Sequence, residues 1–248
     1  YNLPGMCIIN GQLDRDALEN ACQTLVKRHE SLRTSFKTVD GEPVQQVHEN
    51  IQFNISYTDI RNVENSMAKA NKIGFKDLMT PFNLKKAPLF RLRLIQVKDN
   101  EHILLVIMHH IISDGWSMEV FRNDLMALYA AYKDGNRNPL PELRIQYKDF
   151  AVWQSQSIED GKYSGDKEFW HDYLSQDPPV LSLPTDYTYQ GIHKDQRGDS
   201  YQFYLSQELQ ESLNQIAQSH KASLFMVLLS SFNILLSKWA NQDDICVA

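Results

Sequence analysis

The feature that most constrains the fold of this chain is a short apolar run at residues 103–108, ILLVIM, which lies between His102 and His109. Apolar side chains occupy every position of the run, so both of its faces must be covered by other elements. The run is far shorter than the roughly 20 apolar residues that a membrane span requires. We therefore expect a central, buried strand at residues 102–109.

Strand-like and helix-like segments alternate along the chain. A strand is expected at residues 3–9, and Asp14 is placed to cap a helix that extends to His29. An amphipathic helix is expected at residues 117–133, ended by Gly135. Further strands are expected at residues 32–38, 44–48, 51–57, 89–97, 200–205 and 245–247, and further helices at residues 62–79, 146–157, 166–174, 207–220 and 223–239. This interleaving predicts an α/β or α+β protein.

Residues 176–198 differ in composition from the rest of the chain. Proline and glycine are mixed there with polar residues, which is typical of a segment between domains. We expect a first domain at residues 1–175 and the beginning of a second at residues 199–248. Both ends of the chain have a strand pattern, which predicts that the chain is part of a longer polypeptide.

Composition and charge argue against several classes of protein. The chain has 248 residues and a formal net charge of -6, and it has no run of basic residues that could bind phosphates, so no nucleic-acid partner is expected. No apolar run has the length of a membrane span, so no membrane partner is expected. Cys7, Cys22 and Cys246 are far apart and lack CxxC spacing, which predicts reduced thiols in a cytoplasmic protein and no zinc site.

The segment HHIISDG, residues 109–115, follows the apolar run directly. Consecutive strand residues point to opposite faces, so we expect one imidazole in the core and the other in a cleft. Asp114 and Gly115 predict a tight turn, and Ser117 is placed to cap the next helix. Imidazole titrates near neutrality and can act as a base, an acid or a hydrogen-bond partner. From these residues alone, a catalytic and a purely structural role have similar support.

Two other kinds of site have less support. Adjacent histidines on a strand diverge, and the chain has no HExxH motif or cysteine cluster, so no metal site is expected. A Ser-His-Asp hydrolase would need a nucleophile on a G-x-S-x-G elbow, which is missing, and Ser113 is too close in sequence to His110 to pair with it. Gly115 fits no phosphate-binding loop.

Three segments together resemble the condensation domains of nonribosomal peptide synthetases. Residues 108–117, MHHIISDGWS, are similar to the HHxxxDG signature, residues 28–36, RHESLRTSF, to RHExLRTxF, and residues 147–153, YKDFAVW, to YxDFAxW. The first signature also resembles that of other acyltransferases of the same fold, whereas the three in this order are specific. The resemblance covers the whole chain, and the family's remaining motifs are expected before Tyr1 and after Ala248.

The resemblance implies a chloramphenicol-acetyltransferase-like lobe at residues 1–175, with a mixed sheet flanked by helices, and a similar second lobe that begins near residue 199. Family members join a donor acyl or peptidyl thioester to an acceptor aminoacyl thioester and so form an amide bond. Both substrates are carried on phosphopantetheine arms. The resemblance therefore implies no intrinsically bound cofactor or metal, donor and acceptor peptidyl carrier proteins as partners, and an adjacent adenylation domain.

The resemblance also implies roles for the residues of the signature. His110 is implied to face the tunnel between the lobes, either as a general base or as a group that positions the amine and stabilises the tetrahedral species. His109 is implied to hold the loop. Gly115 is implied to let the backbone turn close to the phosphopantetheine arm.

Asp114 is implied to be structural and to form an ion pair with Arg33 or Arg28 of the second motif, with Arg33 favoured. The second and third motifs are otherwise expected to be scaffold. The aromatic residues of the third motif, which have helical spacing, are expected to pack in the core: Tyr147, Phe150 and Trp153.

Two other functions of the same fold remain open: an epimerisation domain and a stand-alone thioester-dependent acyltransferase. A third alternative is a degenerate module kept for carrier-protein docking, which the intact signature disfavours. Trp116 and Ser117 resemble members that accept an L-configured donor. The isolated chain is expected to be inactive, because most of one tunnel wall would be missing.

Overall fold

The structure is a computed structural model that describes residues 1–175, 179–186 and 201–247. Its elements are interleaved along the chain, as the sequence predicts. They run in the order β1 (Asn2–Asn10), α1 (Arg15–Arg28), β2 (Thr34–Val39), β3 (Glu42–Val47), β4 (Ser56–Asp59), α2 (Ser66–Met79), β5 (Phe90–Lys98), β6 (Glu101–His109), α3 (Gly115–Lys133), α4 (Tyr147–Glu159), α5 (Ser164–Tyr173), α6 (Gln207–Ser219) and α7 (Leu224–Ala240), with a 3₁₀ turn at Glu30–Arg33.

A four-stranded mixed sheet organises the first part of the chain, with strand order β1-β6-β5-β4. The strand β6 is interior and antiparallel to both neighbours, while β4 is parallel to β5. The prediction of a central strand at the apolar run is therefore confirmed. Asn2 pairs with His109 across the β1–β6 ladder, so the exit of β6 lies at the start of β1. Strands β2 and β3 form a separate antiparallel hairpin.

Helices cover both faces of this sheet. One face packs against α1 and α3 in a core that contains Leu25, Leu104 and Leu128. The other face carries Ile103 and packs against α2 through Ala70. Alternate residues of β6 therefore enter two different cores, which explains why no polar position interrupts the run.

Helix α1 begins where the sequence predicts. The Asp14 carboxylate accepts a hydrogen bond from the Ala17 amide at 2.9 Å and so caps the helix. The Asp14 amide in turn donates to the Tyr129 hydroxyl at 3.1 Å, which ties the start of α1 to α3.

Two of the predicted strands are shorter than expected. The first is preceded by the 3₁₀ turn and begins at Thr34 rather than at residue 32. Of the strand expected at residues 51–57, only Ser56 and Tyr57 fall in β4, because pairing with β5 starts at Ser56. The alternating apolar residues of this segment, Ile51, Phe53 and Ile55, still pack against the core. They form no ladder, because none of the described strands lies beside them.

The chain divides into two compact units, Tyr1–Lys162 and Tyr163–Ala248. The division comes before the boundary expected at residue 175, and α5, which buries no side chain, falls in the second unit. Of the expected linker at residues 176–198, the structure describes residues 179–186, which form no helix or strand, and the rest lies outside the described residues.

Helices α6 and α7 of the second unit match their predicted positions, and Ser223 caps α7 through the Met226 amide. The strands expected at residues 200–205 and 245–247 are wrong for the described residues, because no described strand pairs with them. Among the described helices, none is by itself long and apolar enough to cross a membrane. Helices α6 and α7 reach that composition only as a pair bent by 104°.

Candidate active site

His110 lies in the turn that follows β6, and it is exposed. Its amide donates to the carbonyl of Tyr1 at 2.8 Å, which continues the β1–β6 ladder by one further bond. The Ser113 amide donates to the His110 carbonyl at 3.4 Å. The backbone of His110 is thus held at both ends while the imidazole remains free to meet a ligand.

His109 is half-buried, and its ring helps to form the turn. Its Nδ1 accepts a hydrogen bond from the Ile111 amide at 3.0 Å, which requires Nδ1 to be unprotonated. Burial lowers the pKa of His109, and the neighbouring His110 lowers it further. A neutral ring is the form that can accept this bond, so His109 is suited to hold the loop.

Asp114 caps α3 in a reciprocal arrangement with Ser117. Its Oδ1 accepts from the Ser117 amide at 2.7 Å and from the Ser117 hydroxyl at 2.6 Å, while the Asp114 amide donates back to that hydroxyl at 3.2 Å. These bonds hold the pKa of Asp114 below its ordinary value. The expectation that Ser117 is the N-cap of the helix is therefore wrong. Asp114 is the N-cap, and Ser117 is the third residue of the helix.

The ion pair expected between Asp114 and Arg33 or Arg28 is also wrong in this structure. Arg28 Nε contacts Asp124 Oδ2 at 3.1 Å. Arg33 donates to the His48 carbonyl at 2.6 Å and to the Glu30 carboxylate at 3.3 Å.

The positions of these side chains in the fold explain why Asp114 forms no ion pair with either arginine. Arg28 ends α1 and Asp124 lies within α3, so their contact joins the two helices, whereas the Asp114 carboxylate is already engaged by its own helix.

Gly115 is the first residue of α3. A Cβ placed there would meet no atom within 4 Å. The chain itself therefore does not require glycine at this position, and open space lies beside it.

A cavity of about 380 Å³ lies beside His110. Residues of all three sequence motifs line it. The turn after β6 contributes residues 110–114, the second motif contributes His29, Ser31, Thr34 and Phe36, and the third contributes Tyr147. Outside the motifs, the main further lining residues are Gln45, Leu143, Ile145 and Gln146.

Hydrogen bonds between the second and third motifs hold two sides of this cavity together. The Glu30 amide donates to Gln146 Oε1 at 3.1 Å, and Gln146 Nε2 donates to the Arg28 carbonyl at 2.9 Å. Lys148 Nζ contacts the Glu30 carboxylate at 2.8 Å. The start of α4 is thereby fixed against the 3₁₀ turn, consistent with a scaffold role for both motifs.

Three of the cavity residues were not expected to be parts of the site. Phe36 and Tyr147 belong to the second and third motifs, which were expected to be scaffold, and Gln45 belongs to a segment that has only a strand pattern. The expectation that the third motif packs in the core is wrong, because Tyr147, Phe150 and Trp153 are 57%, 41% and 51% exposed. They contact one another, with ring centroids 5.9 and 5.7 Å apart, and leave Tyr147 open to the cavity.

In the part of the chain that the structure describes, no group of three or more His, Cys, Asp or Glu side chains is placed to hold a metal ion. The groups that surround the cavity can instead take part in proton transfer and hydrogen bonding. His110 supplies an imidazole, and Tyr147, Ser31 and Gln45 supply neutral polar groups.

This fold and site define an acyltransferase-like lobe with a histidine signature at the exit of an interior strand. The family profile described as "Condensation domain" matches residues 1–248. The chain therefore belongs to the condensation-domain family.

Similar proteins include large bacterial synthases. Gramicidin S synthase 2 of Aneurinibacillus migulanus is 39% identical over 100% of this chain, and tyrocidine synthase 2 of Brevibacillus parabrevis is 41% identical over 100% of this chain. The chain spans only 5% and 6% of the lengths of these relatives.

Solved structures share the fold. The SgcC5 protein from Streptomyces globisporus has a TM-score of 0.77 and 27% identity, over 99% of this chain and 55% of that chain. The first condensation domain of the CDA synthetase has a TM-score of 0.78 and 21% identity, over 99% of this chain and 58% of that chain.

Proposed function

We propose that this chain supplies the His110 side of a condensation site that joins a donor acyl or peptidyl thioester to an acceptor aminoacyl thioester. The observation that carries the proposal is the convergence of all three motifs on one cavity beside an exposed imidazole. Family membership and the similarity to peptide synthases support an amide-forming reaction. Neither favours an epimerisation domain or a stand-alone acyltransferase.

The chemistry needs a group that manages the protons of the attacking amine. An α-amine has a pKa of about 7.7–8.0 and is largely protonated at neutral pH. After the ammonium loses one proton, its nitrogen attacks the thioester carbonyl, the new C–N bond forms, the nitrogen becomes positively charged and the carbonyl oxygen gains negative charge. Loss of a second proton from the nitrogen and collapse of this species break the C–S bond, leave an amide and release the donor thiolate, which takes up a proton. His110 accepts the amine proton or binds the amine and the charged intermediate.

Proximity supplies a further part of the rate. Both substrates are tethered, and holding two reactants in a productive geometry can contribute about 7–11 kcal/mol. The tethers are phosphopantetheine arms of donor and acceptor peptidyl carrier proteins, and an adenylation domain of the same polypeptide loads one of them. The open space beside Gly115 suits the approach of an arm, and the site needs no further cofactor.

The isolated chain is proposed to form no dipeptide. It matches only 55% of the SgcC5 chain and 58% of the CDA synthetase domain, so a large share of each related domain has no counterpart in it. We place the protein in the cytoplasm, where the free thiols Cys7, Cys22 and Cys246 would stay reduced.

The test uses the intact synthetase that contains this chain, with two carrier proteins loaded as aminoacyl thioesters. Wild type is expected to give dipeptide, and His110→Ala to lower its rate about 10²–10⁴-fold, the usual contribution of a general acid or base. His171→Ala, at a side chain that is 81% exposed and outside the cavity, is the control.

Equal rates for His110→Ala and wild type would refute the role of His110. A product with inverted configuration and no new amide bond would instead identify an epimerisation domain. Amide formation with a free amine and a coenzyme A thioester, without carrier proteins, would identify a stand-alone acyltransferase.

A further inference from the structure

The turn that carries His110 depends on the orientation of the neighbouring His109 ring. The Ile111 amide donates to Nδ1 of this ring at 3.0 Å, and the Ile112 amide donates to the His109 carbonyl at 3.1 Å. A half-turn of the imidazole about its Cβ–Cγ bond would replace Nδ1 with a carbon and remove the first of these bonds. Whatever fixes the ring therefore also fixes the path of the backbone at His110.

The aromatic neighbour of this ring is Phe82, which follows the end of α2. The two ring centroids are 6.2 Å apart and the planes meet at 81°, an edge-to-face arrangement. Phe82 is half-buried, and the Arg91 guanidinium lies over its ring, with Cζ 3.7 Å from the centroid. A cation, a phenyl ring and an imidazole thus form one continuous series of contacts.

Arg91 also fixes the backbone that carries Phe82. Its guanidinium donates to the carbonyls of Thr80 and Pro81, both at 2.8 Å. From the other side, the Asn2 side chain donates to the Leu78 carbonyl at 2.7 Å, and Asn2 is the residue paired with His109 in the β1–β6 ladder. The bonds to Leu78 and Thr80 satisfy carbonyls at the end of α2 that a helix leaves unpaired, and all three bonds attach this end to the sheet beside the turn.

We propose that Phe82 and Arg91 are positioning residues, which hold the His109 ring so that it fixes the turn carrying His110. The inference rests on the proposed function only in its effect on catalysis, because the effect on the turn can be measured without activity. Neither residue lines the cavity beside His110. They act on the reaction through His109, and sequence motifs do not identify them.

The first test compares Phe82→Leu with Phe53→Leu in the intact synthetase. Phe53 is a matched control because it is also half-buried and packs against an aromatic ring, but that ring is Phe90, at 4.9 Å, and not His109. Hydrogen exchange of the peptide that contains Ile111 is measured by mass spectrometry, together with the kinetics of dipeptide formation.

Phe82→Leu is expected to speed exchange at Ile111 by up to about tenfold, the effect of losing one hydrogen bond. It is also expected to lower kcat by up to about 10²-fold, as for a reactive group displaced by about 1 Å, with little change in KM. Phe82→Tyr, which keeps an aromatic edge, should retain wild-type exchange and kcat. Phe53→Leu should leave both quantities close to wild type.

The second test compares Arg91→Lys with Arg93→Lys. Lysine keeps the charge but loses the planar face and the fork that reaches two carbonyls. Arg93 is two residues further along β5 and pairs with Asp77 instead, with Nε 2.5 Å from Oδ2. Only Arg91→Lys is expected to reproduce the faster exchange at Ile111 and the lower kcat.

Several results would overturn the proposal. Unchanged exchange at Ile111 in Phe82→Leu would show that Phe82 does not hold the His109 ring. Faster exchange with an unchanged kcat would show that the turn does not need it for the reaction. Equal effects of Phe53→Leu would indicate general loosening of the core. If wild type forms no dipeptide, the proposed function fails, while the exchange comparison still decides whether Phe82 and Arg91 hold the turn.

Discussion

Replacement of Asp114 tests how the signature aspartate acts. In the structure this carboxylate is the N-cap of α3, and it receives both the amide and the hydroxyl of Ser117. Asp114→Ala removes these two bonds and leaves the Ser117 amide to solvent. No arginine contact is lost, because Arg28 and Arg33 are bound elsewhere.

The expected loss of stability in Asp114→Ala depends on whether Asp114 is a helix cap or a partner in a buried ion pair. Replacing an N-cap Asp by Ala lowers the free energy of unfolding by about 0.5–2 kcal/mol. Loss of one partner of a buried ion pair would cost about 3–5 kcal/mol. Asp114 is exposed, and its bonds stay within the first turn of the helix, so we expect the smaller value. Asp114→Asn should lose less than Asp114→Ala, since an Asn oxygen can also cap.

Urea unfolding measures these differences as shifts of the midpoint at a constant slope. A double-mutant cycle adds Arg33→Ala to each Asp114 variant. Residues that do not interact give additive changes, within about 0.5 kcal/mol. The expected coupling energy between Asp114 and Arg33 is therefore close to zero, while a cycle with Ser117→Ala should show clear coupling.

The pH dependence gives an independent check. The pKa of Asp114 is held below its ordinary value of 3.8 in the folded state, mainly by its bonds to Ser117. The stabilisation is complete above that ordinary value and is lost as the pH falls through the lower folded value. A loss of 3 kcal/mol or more, a strong coupling to Arg33, or a difference between wild type and Asp114→Ala that does not shrink as the carboxylate becomes protonated would refute the capping argument.

Three further predictions concern other parts of the first unit. Burial lowers the pKa of His109, so the stabilisation from its neutral ring is complete above the ordinary value of 6.5 and is lost as the pH falls through the lower folded value. The protection of the Ile111 amide, which is the intrinsic exchange rate divided by the measured rate at the same pH, should fall in that window, and a protection that stays constant would contradict it. Burial raises the pKa of Cys22 to about 12, so thiol reagents at pH 8 should label the exposed Cys7 and spare Cys22 until the protein unfolds. Leu128 is fully buried, and Leu128→Ala should lower the free energy of unfolding by about 3–5 kcal/mol in urea titrations, with a loss under 1 kcal/mol showing that its site is not packed.

Local patterns predicted most of the elements well. The interior position of β6 follows from an apolar side chain at every position of residues 103–108, and the start of α1 follows from Asp14. Short strands were harder to predict, since strand pairing is not local. Residues 51–55 have an alternating pattern and pack on the core, but none of the strands that the structure describes lies beside them to complete a ladder.

The site shows the same division between local and long-range information. Strand alternation predicted that His109 and His110 would have different surroundings, and the structure places one half-buried and the other exposed. The partner of Asp114 was predicted wrongly. Its carboxylate binds Ser117, which is three residues further along the chain. Arg28 instead contacts Asp124, which is distant in sequence.

The sequence by itself determined the class of fold, the position of the interior strand and the family, because periodicity and motifs depend on residues that are near one another along the chain. Only the tertiary structure decided which side chains surround His110. The cavity joins the turn after β6 to segments near residues 29, 45 and 147. The contacts of Phe82 with Arg91 and His109 likewise depend on how α2 meets the sheet, since contacts between distant segments arise only when helices and strands bury their apolar faces together.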